Sequence, residues 1–277
     1  MEFMKWHGLG NDFILLDCRN NDYSVTAKSA IAMCDRHTGI GADGVVQILP
    51  PHSPTARAEM RIYNADGTIA EMCGNALRCV ATVLSAQDGI RGPIGIDTPA
   101  GQLEANVTTD EAGNPSVRVN MGIPGLLRKD IGMRENPEAS AQEIDVSVGD
   151  VSMVFTGVSM GNPHVVTFVE NVMEIPLEVW GSQVAANELF SAQTNVEFVE
   201  ASADALRMRV WERGVGVTRA CGTGACAAMV AAVQNGRAGR RAEVILDGGS
   251  LWIEWDGTGT PVYMTGPAVH VYNGVIE

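Results

Sequence analysis

No run of eighteen or more apolar residues occurs in this 277-residue sequence, so no membrane-crossing helix is predicted. The opening segment, MEFMKWHGLGNDF, lacks the apolar core of a signal peptide. Basic residues are scarce: 19 Lys and Arg stand against 33 Asp and Glu, for a net charge of −14. A nucleic-acid binder would carry a basic face, and that class is excluded. An anionic small molecule is not, because a local site can differ from the whole chain. The only lysines are Lys5, Lys28 and Lys129. None lies in a glycine-rich phosphate-binding context, which argues against pyridoxal phosphate held as a lysine Schiff base.

Two further patterns are missing. The glycines of Thr38 to Gly44 do not form G-x-G-x-x-G, and no long helix follows them, so a dinucleotide loop is rejected. The six cysteines (Cys18, Cys34, Cys73, Cys79, Cys221 and Cys226) never adopt C-x-x-C spacing, and a structural zinc site is not predicted. In a chain of this length, with no leader, they read as reduced cytoplasmic thiols. Cys18, Cys34, Cys79 and Cys226 read as core packing.

What is present is one sentence written twice. Met60 to Asn75 reads MRIYNADGTIAEMCGN and Met208 to Thr223 reads MRVWERGVGVTRACGT. They superpose without a gap at an offset of 148 residues, Met60 on Met208 and Cys73 on Cys221. A weaker echo sets Gly10-Asn11-Asp12 against Gly161-Asn162-Pro163. Each cysteine precedes an apolar run. Ala76 to Ala86 ends near Asp88-Gly89, and the run after Cys221 goes through Val233 to Asn235-Gly236. Both read as buried helices ending on stop signals. Each thiol then stands at a helix N-terminus, where unpaired N–H groups and the dipole favour an anion. The thiol there should lose its proton more easily, and a carboxylate should bind well.

The rest of the chain reads as short strands around these two helices. Strands are predicted on either side of the Gly8 to Asp12 turn, at Val45 to Leu49, Ala58 to Tyr63, 94–98, 102–108 and 116–120, with a helix over 26–37 capped by Thr26. Gly122 to Pro137, rich in Pro and Gly, is the predicted boundary. Beyond it come strands near 144–148, 151–158 and 164–169, and a helix near 176–190. Strands near 195–200, 205–212, 241–246, 250–255 and 261–264 complete the second half. A helix that is apolar all round must be covered on every side, so each sheet should curl around its helix. The fold class is therefore read as α/β (α+β): two halves from an internal duplication, each many short strands curled around one apolar central helix. The halves are 1–122 and 123–266.

Two such thiols suit inversion at a carbon acid. A single base tends to return a proton to the face it came from, so inversion needs one base and one acid on opposite faces. Two halves facing each other supply a thiolate and a thiol. Their helix N-termini also aim N–H groups at the carboxylate into which carbanion charge spreads.

These residues resemble the diaminopimelate epimerase family from end to end. The matching stretches are HGLGNDF at 7–13, GIGAD at 39–43, YNADG at 63–67, CGNALRC at 73–79, MGNPH at 160–164, TNVEF at 194–198, ERG at 212–214 and ACGTGACAA at 220–228. The two cysteine motifs in combination are highly specific. The resemblance implies interconversion of LL- and meso-2,6-diaminopimelate without cofactor or metal, on the route to lysine and peptidoglycan. It implies two pseudo-symmetric domains, each a barrel-like mixed sheet around a central helix, and it implies that Cys73 and Cys221 are the proton-transfer pair. The reacting carboxylate falls to the amides of Gly74, Asn75, Gly222 and Thr223, and other substrate contacts to Asn11, Asn64, Asn162, Asn195, Glu212 and Arg213. Arg213, with its planar fork, would grip the distal carboxylate. His164 and Glu212 would tune the cysteines. The C-terminal segment 267–277 would return to the first half, and the family's homodimers make Val269-His270-Val271-Tyr272 a candidate interface strand.

Simpler readings exist for single residues. Asn11 and Asn64 alone would be turn residues, His164 a structural hydrogen-bonder, and Arg213 a local partner of Glu212. Arg61 and Arg209 repeat between halves and read as structural. Three positions depart from the family pattern: Gly44 stands where several members carry a substrate-contacting glutamine, Ala76 where glycine is common, and Val217 where glutamate is common. The rival functions are a proline or hydroxyproline racemase, a thiol redox protein and a non-catalytic binding protein.

Overall fold

The structure, a computed structural model, describes residues 1–21, 23–149, 151–202 and 205–276. The chain divides into two compact units, Met1–Asn120 with Thr265–Glu277, and Met121–Met264.

The first unit begins with β1 (Glu2–Gly8), β2 (Asn11–Asp17), α1 (Ala27–Cys34), β3 (Gly44–Leu49), β4 (Ala56–Asn64) and β5 (Ile69–Ala70). It continues with α2 (Gly74–Asp88), β6 (Pro93–Thr98), β7 (Gly101–Thr109) and β8 (Pro115–Asn120). β1 and β2 pair antiparallel, β2 and β3 parallel, β3 and β4 antiparallel, β4 and β6 parallel, and β6, β7 and β8 antiparallel in turn. This mixed sheet curls around α2, which touches β1, β2, β4, β6, β7 and β8. Every residue of α2 from Gly74 to Leu84 is buried. Its end is set by Gly89, whose positive φ of 64° a residue with a Cβ adopts only at a cost.

The second unit contains β9 (Ile144–Val148), β10 (Val151–Ser159), β11 (Pro163–Phe168), α3 (Leu177–Ala185), β12 (Asn195–Ala201) and β13 (Ala205–Glu212). It continues with β14 (Gly216–Thr218), α4 (Gly222–Gln234), β15 (Arg241–Leu246), β16 (Gly249–Trp255) and β17 (Val262–Pro267). Its sheet repeats the first: β10 and β11 antiparallel, β11 and β12 parallel, β12 and β13 antiparallel, β13 and β15 parallel, β15 and β16 antiparallel. α4 is covered by β10, β11, β12, β13, β15 and β16. The final strand, β18 (Val269–Val275), pairs antiparallel with β1.

The duplication extends to strand register. Ala58 opposes Ile96 as Leu206 opposes Val244, and Ile62 opposes Ala70 as Val210 opposes Thr218. Ile94 and Ala105 are matched by Ala242 and Ile253. All keep the offset of 148. Upstream the offset is 151: Phe13 opposite Gly44 is repeated by His164 opposite Asn195. Because one-residue slips turn every side chain to the wrong face, shared register means shared inward and outward positions.

Several predicted boundaries shift. α1 stops at Cys34 rather than residue 37, because the Asp35 carboxylate accepts the N–H groups of His37 and Thr38 and turns the chain. Its N-cap is Thr26, in a reciprocal capping box with Ser29. α3 stops at Ala185 rather than 190, where the Asn187 side chain accepts Leu189 N–H and closes a turn. Gly122 to Pro137 holds a 3-10 turn, Arg128–Ile131, and inserts Ile131 and Met133 into the second unit's core. β5 and β14 are too short to show periodicity.

Candidate active site

Each unit places one candidate cysteine at the N-terminus of its central helix. Cys73 is the N-cap of α2 and Cys221 the N-cap of α4, both extended in backbone conformation. The first intrahelical bonds run from Leu77 N to Cys73 O and from Ala225 N to Cys221 O. The N–H groups of Gly74, Asn75, Gly222 and Thr223 therefore have no carbonyl to meet within their helices.

In the first unit, Cys73 Sγ lies 3.8 Å from Asn11 Oδ1. Asn75 Nδ2 donates to the same oxygen at 3.1 Å. Asn11 Nδ2 donates to Asp43 Oδ2 at 3.0 Å, so its amide has one orientation. Asp43 also accepts Asp12 N–H and is paired with Arg36 at 2.7 Å. Arg78, buried in the second turn of α2, donates to Asn75 Oδ1 at 2.9 Å, to Gly74 O, and to Pro267 O at 3.0 Å. Gly8 makes room for this: a Cβ there would fall 2.9 Å from Arg78 Nη2. Asn64, opposite Gly44 in the sheet, donates from its side chain to Thr68.

In the second unit, Cys221 is only 6% exposed. Its Sγ accepts Gly224 N–H at 3.3 Å and lies 3.6 Å from Thr223 Oγ1. Asn162 donates to Thr223 Oγ1 at 3.4 Å, and its Oδ1 meets His164 Nε2 at 3.1 Å. His164 Nδ1 lies 2.6 Å from Glu197 Oε1. Glu212 accepts from Thr218 Oγ1, and its charge acts on the Cys221 thiol. Asn195 holds the neighbouring loop, donating to Pro163 O at 2.8 Å and accepting Arg213 N–H at 2.9 Å. Arg213 does not pair with Glu212; its guanidinium donates to Ala192 O. Arg61 and Arg209 pair with Glu59 and Asp247, as structural residues would.

The electrostatics correct one expectation. The helix N-terminus should ease deprotonation, yet the Cys221 thiol is held well above its usual range. Burial is the main cause, followed by the negative charges of Glu212 and Glu197; bonds from Thr223 and Gly224 oppose them only in part. Burial likewise raises Glu212, against the pull of Thr218 and His164. Cys34 is pushed up to about 11 and Cys79 to about 12, again by burial, as inert core thiols should be. Among the described residues no cluster of three His, Cys, Asp or Glu could hold a metal ion.

At Gly44 a Cβ would fall 2.9 Å from Tyr63 O, so the local backbone of this chain is closed around glycine. Gln47 does not take over: it is buried and donates to Tyr23 O. Ala76 is buried in the first turn of α2, and Val217 is exposed on β14. Sequence reasoning passed over Asp43, Arg78, Glu197 and Thr218. Arg78 had a signal, an arginine inside an otherwise apolar helix, three residues after Asn75 and four after Gly74.

Known proteins are similar to this chain in sequence and in fold. The family model for diaminopimelate epimerase matches residues 3–127 and 156–271. The diaminopimelate epimerase of Microcystis aeruginosa is 47% identical over 281 residues, spanning 99% of this chain and 98% of its own. That of Pelotomaculum thermopropionicum is 46% identical over 278 residues, spanning 99% and 98%. Among solved structures, a hydroxyproline epimerase from Agrobacterium vitis shares the fold with a TM-score of 0.70 at 15% identity, over 99% of this chain and 91% of that one. With matches of this length and identity, the chain belongs to the diaminopimelate epimerase family.

Proposed function

We propose that this protein interconverts LL- and meso-2,6-diaminopimelate without a cofactor, using Cys73 and Cys221 as a two-base pair, in the supply of lysine and peptidoglycan precursors. The observation that carries the mechanism is the placement of one thiol as N-cap of the buried helix in each of two register-matched units. The thiolate takes the α-proton and its sulfur becomes a thiol. The electron pair left behind spreads into the carboxylate, and the second thiol returns its own proton to the opposite face. The reverse direction exchanges the roles, and no oxidant or other reactant enters.

The remaining groups support this division of labour. Gly74, Asn75, Gly222 and Thr223 N–H groups receive the reacting carboxylate. Asn11, Asn64, Asn162, Asn195 and Glu212 contact the rest of the substrate. Arg213, whose side chain is exposed, takes the distal carboxylate. Burial that keeps Cys221 protonated suits it to the acid role when the α-proton leaves to Cys73. A small monocarboxylate such as proline would leave Arg213 and the extra asparagines without work, which disfavours the racemase reading. No described helix is long and apolar enough to cross a membrane. All six cysteines are free thiols, which fits a cytoplasmic setting. Val269, Val271 and Tyr272 expose an apolar face on β18, and we assign that face to a homodimer.

The test is substrate choice. Reduced protein is incubated with LL-diaminopimelate or with L-proline, and the products are resolved by chiral chromatography. Formation of the meso isomer with no D-proline is expected. D-proline with unchanged diaminopimelate would reverse the assignment.

A further inference from the structure

Glu197 is a buried carboxyl with no exposure, and so is the imidazole it meets. Only one of its oxygens is satisfied. Oε1 bonds His164 Nδ1, while Oε2 has no hydrogen-bond partner among the described residues. Such a group is costly to bury, and replacing buried ionisable pairs by apolar residues is often neutral or stabilising.

The duplicated scaffold shows what the fold itself requires at these places. His164 corresponds to Phe13, and Glu197 to Val46: Phe13 opposes Gly44 as His164 opposes Asn195, and Val46 opposes Ile62 as Glu197 opposes Val210. Both Phe13 and Val46 are buried. The first unit thus builds the same sheet around the same kind of helix with an apolar pair. The fold does not need the polar pair, and the second unit retains it beside its cysteine.

The pair reaches the thiol by two routes. One is a chain of side chains: Glu197 Oε1 to His164 Nδ1 at 2.6 Å, His164 Nε2 to Asn162 Oδ1 at 3.1 Å, Asn162 Nδ2 to Thr223 Oγ1 at 3.4 Å, and Thr223 Oγ1 to Cys221 Sγ at 3.6 Å. The other is direct packing under the first turn of α4. A Cβ at Gly224 would lie 2.8 Å from Glu197 Oε1 and 3.1 Å from Cys221 Sγ. The helix end that carries Cys221 also holds the Glu197 carboxyl, where the dipole favours a negative group.

We infer that Glu197 is a positioning residue for Cys221: one hydrogen bond fixes the His164 ring, and through it the Asn162 amide that meets Thr223 beside the thiol. With Nδ1 occupied by Glu197, His164 presents Nε2 to Asn162. That turns the Asn162 NH2 toward Thr223, and the Thr223 hydroxyl keeps its place against Sγ. This rests on the reading of Cys221 as a proton-transfer group.

The test compares E197Q, which keeps a hydrogen-bonding partner for Nδ1, with E197V, which copies the first unit. Turnover of LL-diaminopimelate is measured with the rate at which iodoacetamide alkylates each cysteine, resolved by peptide mass spectrometry. In E197V, kcat should fall about 100-fold, as misplacement of a reacting group by an ångström does, with KM nearly unchanged. E197Q should recover most of that loss. Alkylation of Cys221 should change in E197V, while that of Cys73 stays at the parent rate. A parent-like kcat in E197V overturns the inference, and so does an equal change at both cysteines, which would mark a merely structural role. Should E197V fail to fold, E197Q decides through the ring 15N resonances of His164: moved resonances support the inference, and resonances identical to the parent's overturn it. The epimerase reading fails separately, if the parent itself does not turn over diaminopimelate.

Discussion

Asp43 Oδ2 stands 3.0 Å from Nδ2 of Asn11, and this contact decides which end of the Asn11 amide meets Cys73. With the nitrogen committed to Asp43, the oxygen faces Sγ and receives Asn75 as well. D43A frees the amide to rotate and leaves Arg36 one partner fewer. We expect kcat to fall about tenfold with little change in KM, and D43N to retain more activity than D43A. Steady-state kinetics of the two variants checks this.

Gly224 should tolerate no larger residue. In G224A the added methyl would meet Glu197 Oε1 at 2.8 Å and Cys221 Sγ at 3.1 Å, both in a place without free space. Overpacking of this kind costs about 1–3 kcal/mol. We expect a lowered urea midpoint together with nearly complete loss of activity. An active G224A of parent stability would mean that the pocket is looser than described.

Arg78 is buried with hydrogen bonds to Asn75, Gly74 and Pro267. R78A leaves a cavity and strands the Pro267 carbonyl, for a loss of about 3 kcal/mol or more. R78M fills the volume but frees the Asn75 amide, so it should fold better than R78A and remain impaired in kcat. Chemical denaturation and turnover of both variants separate the two effects.

Asp12 gives the pH dependence a definite sign. Burial works against its ionised form, but hydrogen bonds from Arg36 and Lys5 outweigh this and lower it from 3.8 to about 2. The folded state therefore binds this proton less well than the unfolded chain. The stabilisation is present above pH 3.8 and is lost as pH falls toward 2. After discounting for solvent screening it amounts to about 1 kcal/mol. Melting temperatures of the parent should drop between pH 5 and pH 2.5 more steeply than those of D12N. Parallel curves would remove Asp12 from the account.

The sequence made the repeat legible because it lies in uninterrupted text: Met60 to Cys73 matches Met208 to Cys221 without a gap, and the strand register keeps the same offset. The two buried helices were legible from apolar runs closed by Asp-Gly and Asn-Gly. α1 and α3 overran because their stops are side-chain turns at Asp35 and Asn187, which hydrophobic patterning does not register. Within the candidate site, Cys73 and Cys221 stood out through the repeat and most of the other residues through the family resemblance, whereas Asp43 and Glu197 did not stand out. Each acts through another side chain from a distant strand or loop, a relation that only folding creates. The protonation of Cys221 was misjudged for a similar reason. The helix N-terminus is local and readable, but the burial and the two carboxyl groups that outweigh it come from β12 and β13.

Solvent isotope incorporation tests the central claim most directly. Reduced protein is incubated with LL-diaminopimelate in D₂O, and loss of Cα–H is followed beside the appearance of meso product, with C73S and C221S in parallel. The two-thiol account predicts that meso product carries solvent deuterium at the inverted carbon and that inversion fails in both variants. Inversion that persists in either variant, or meso product retaining its original α-hydrogen, would contradict it.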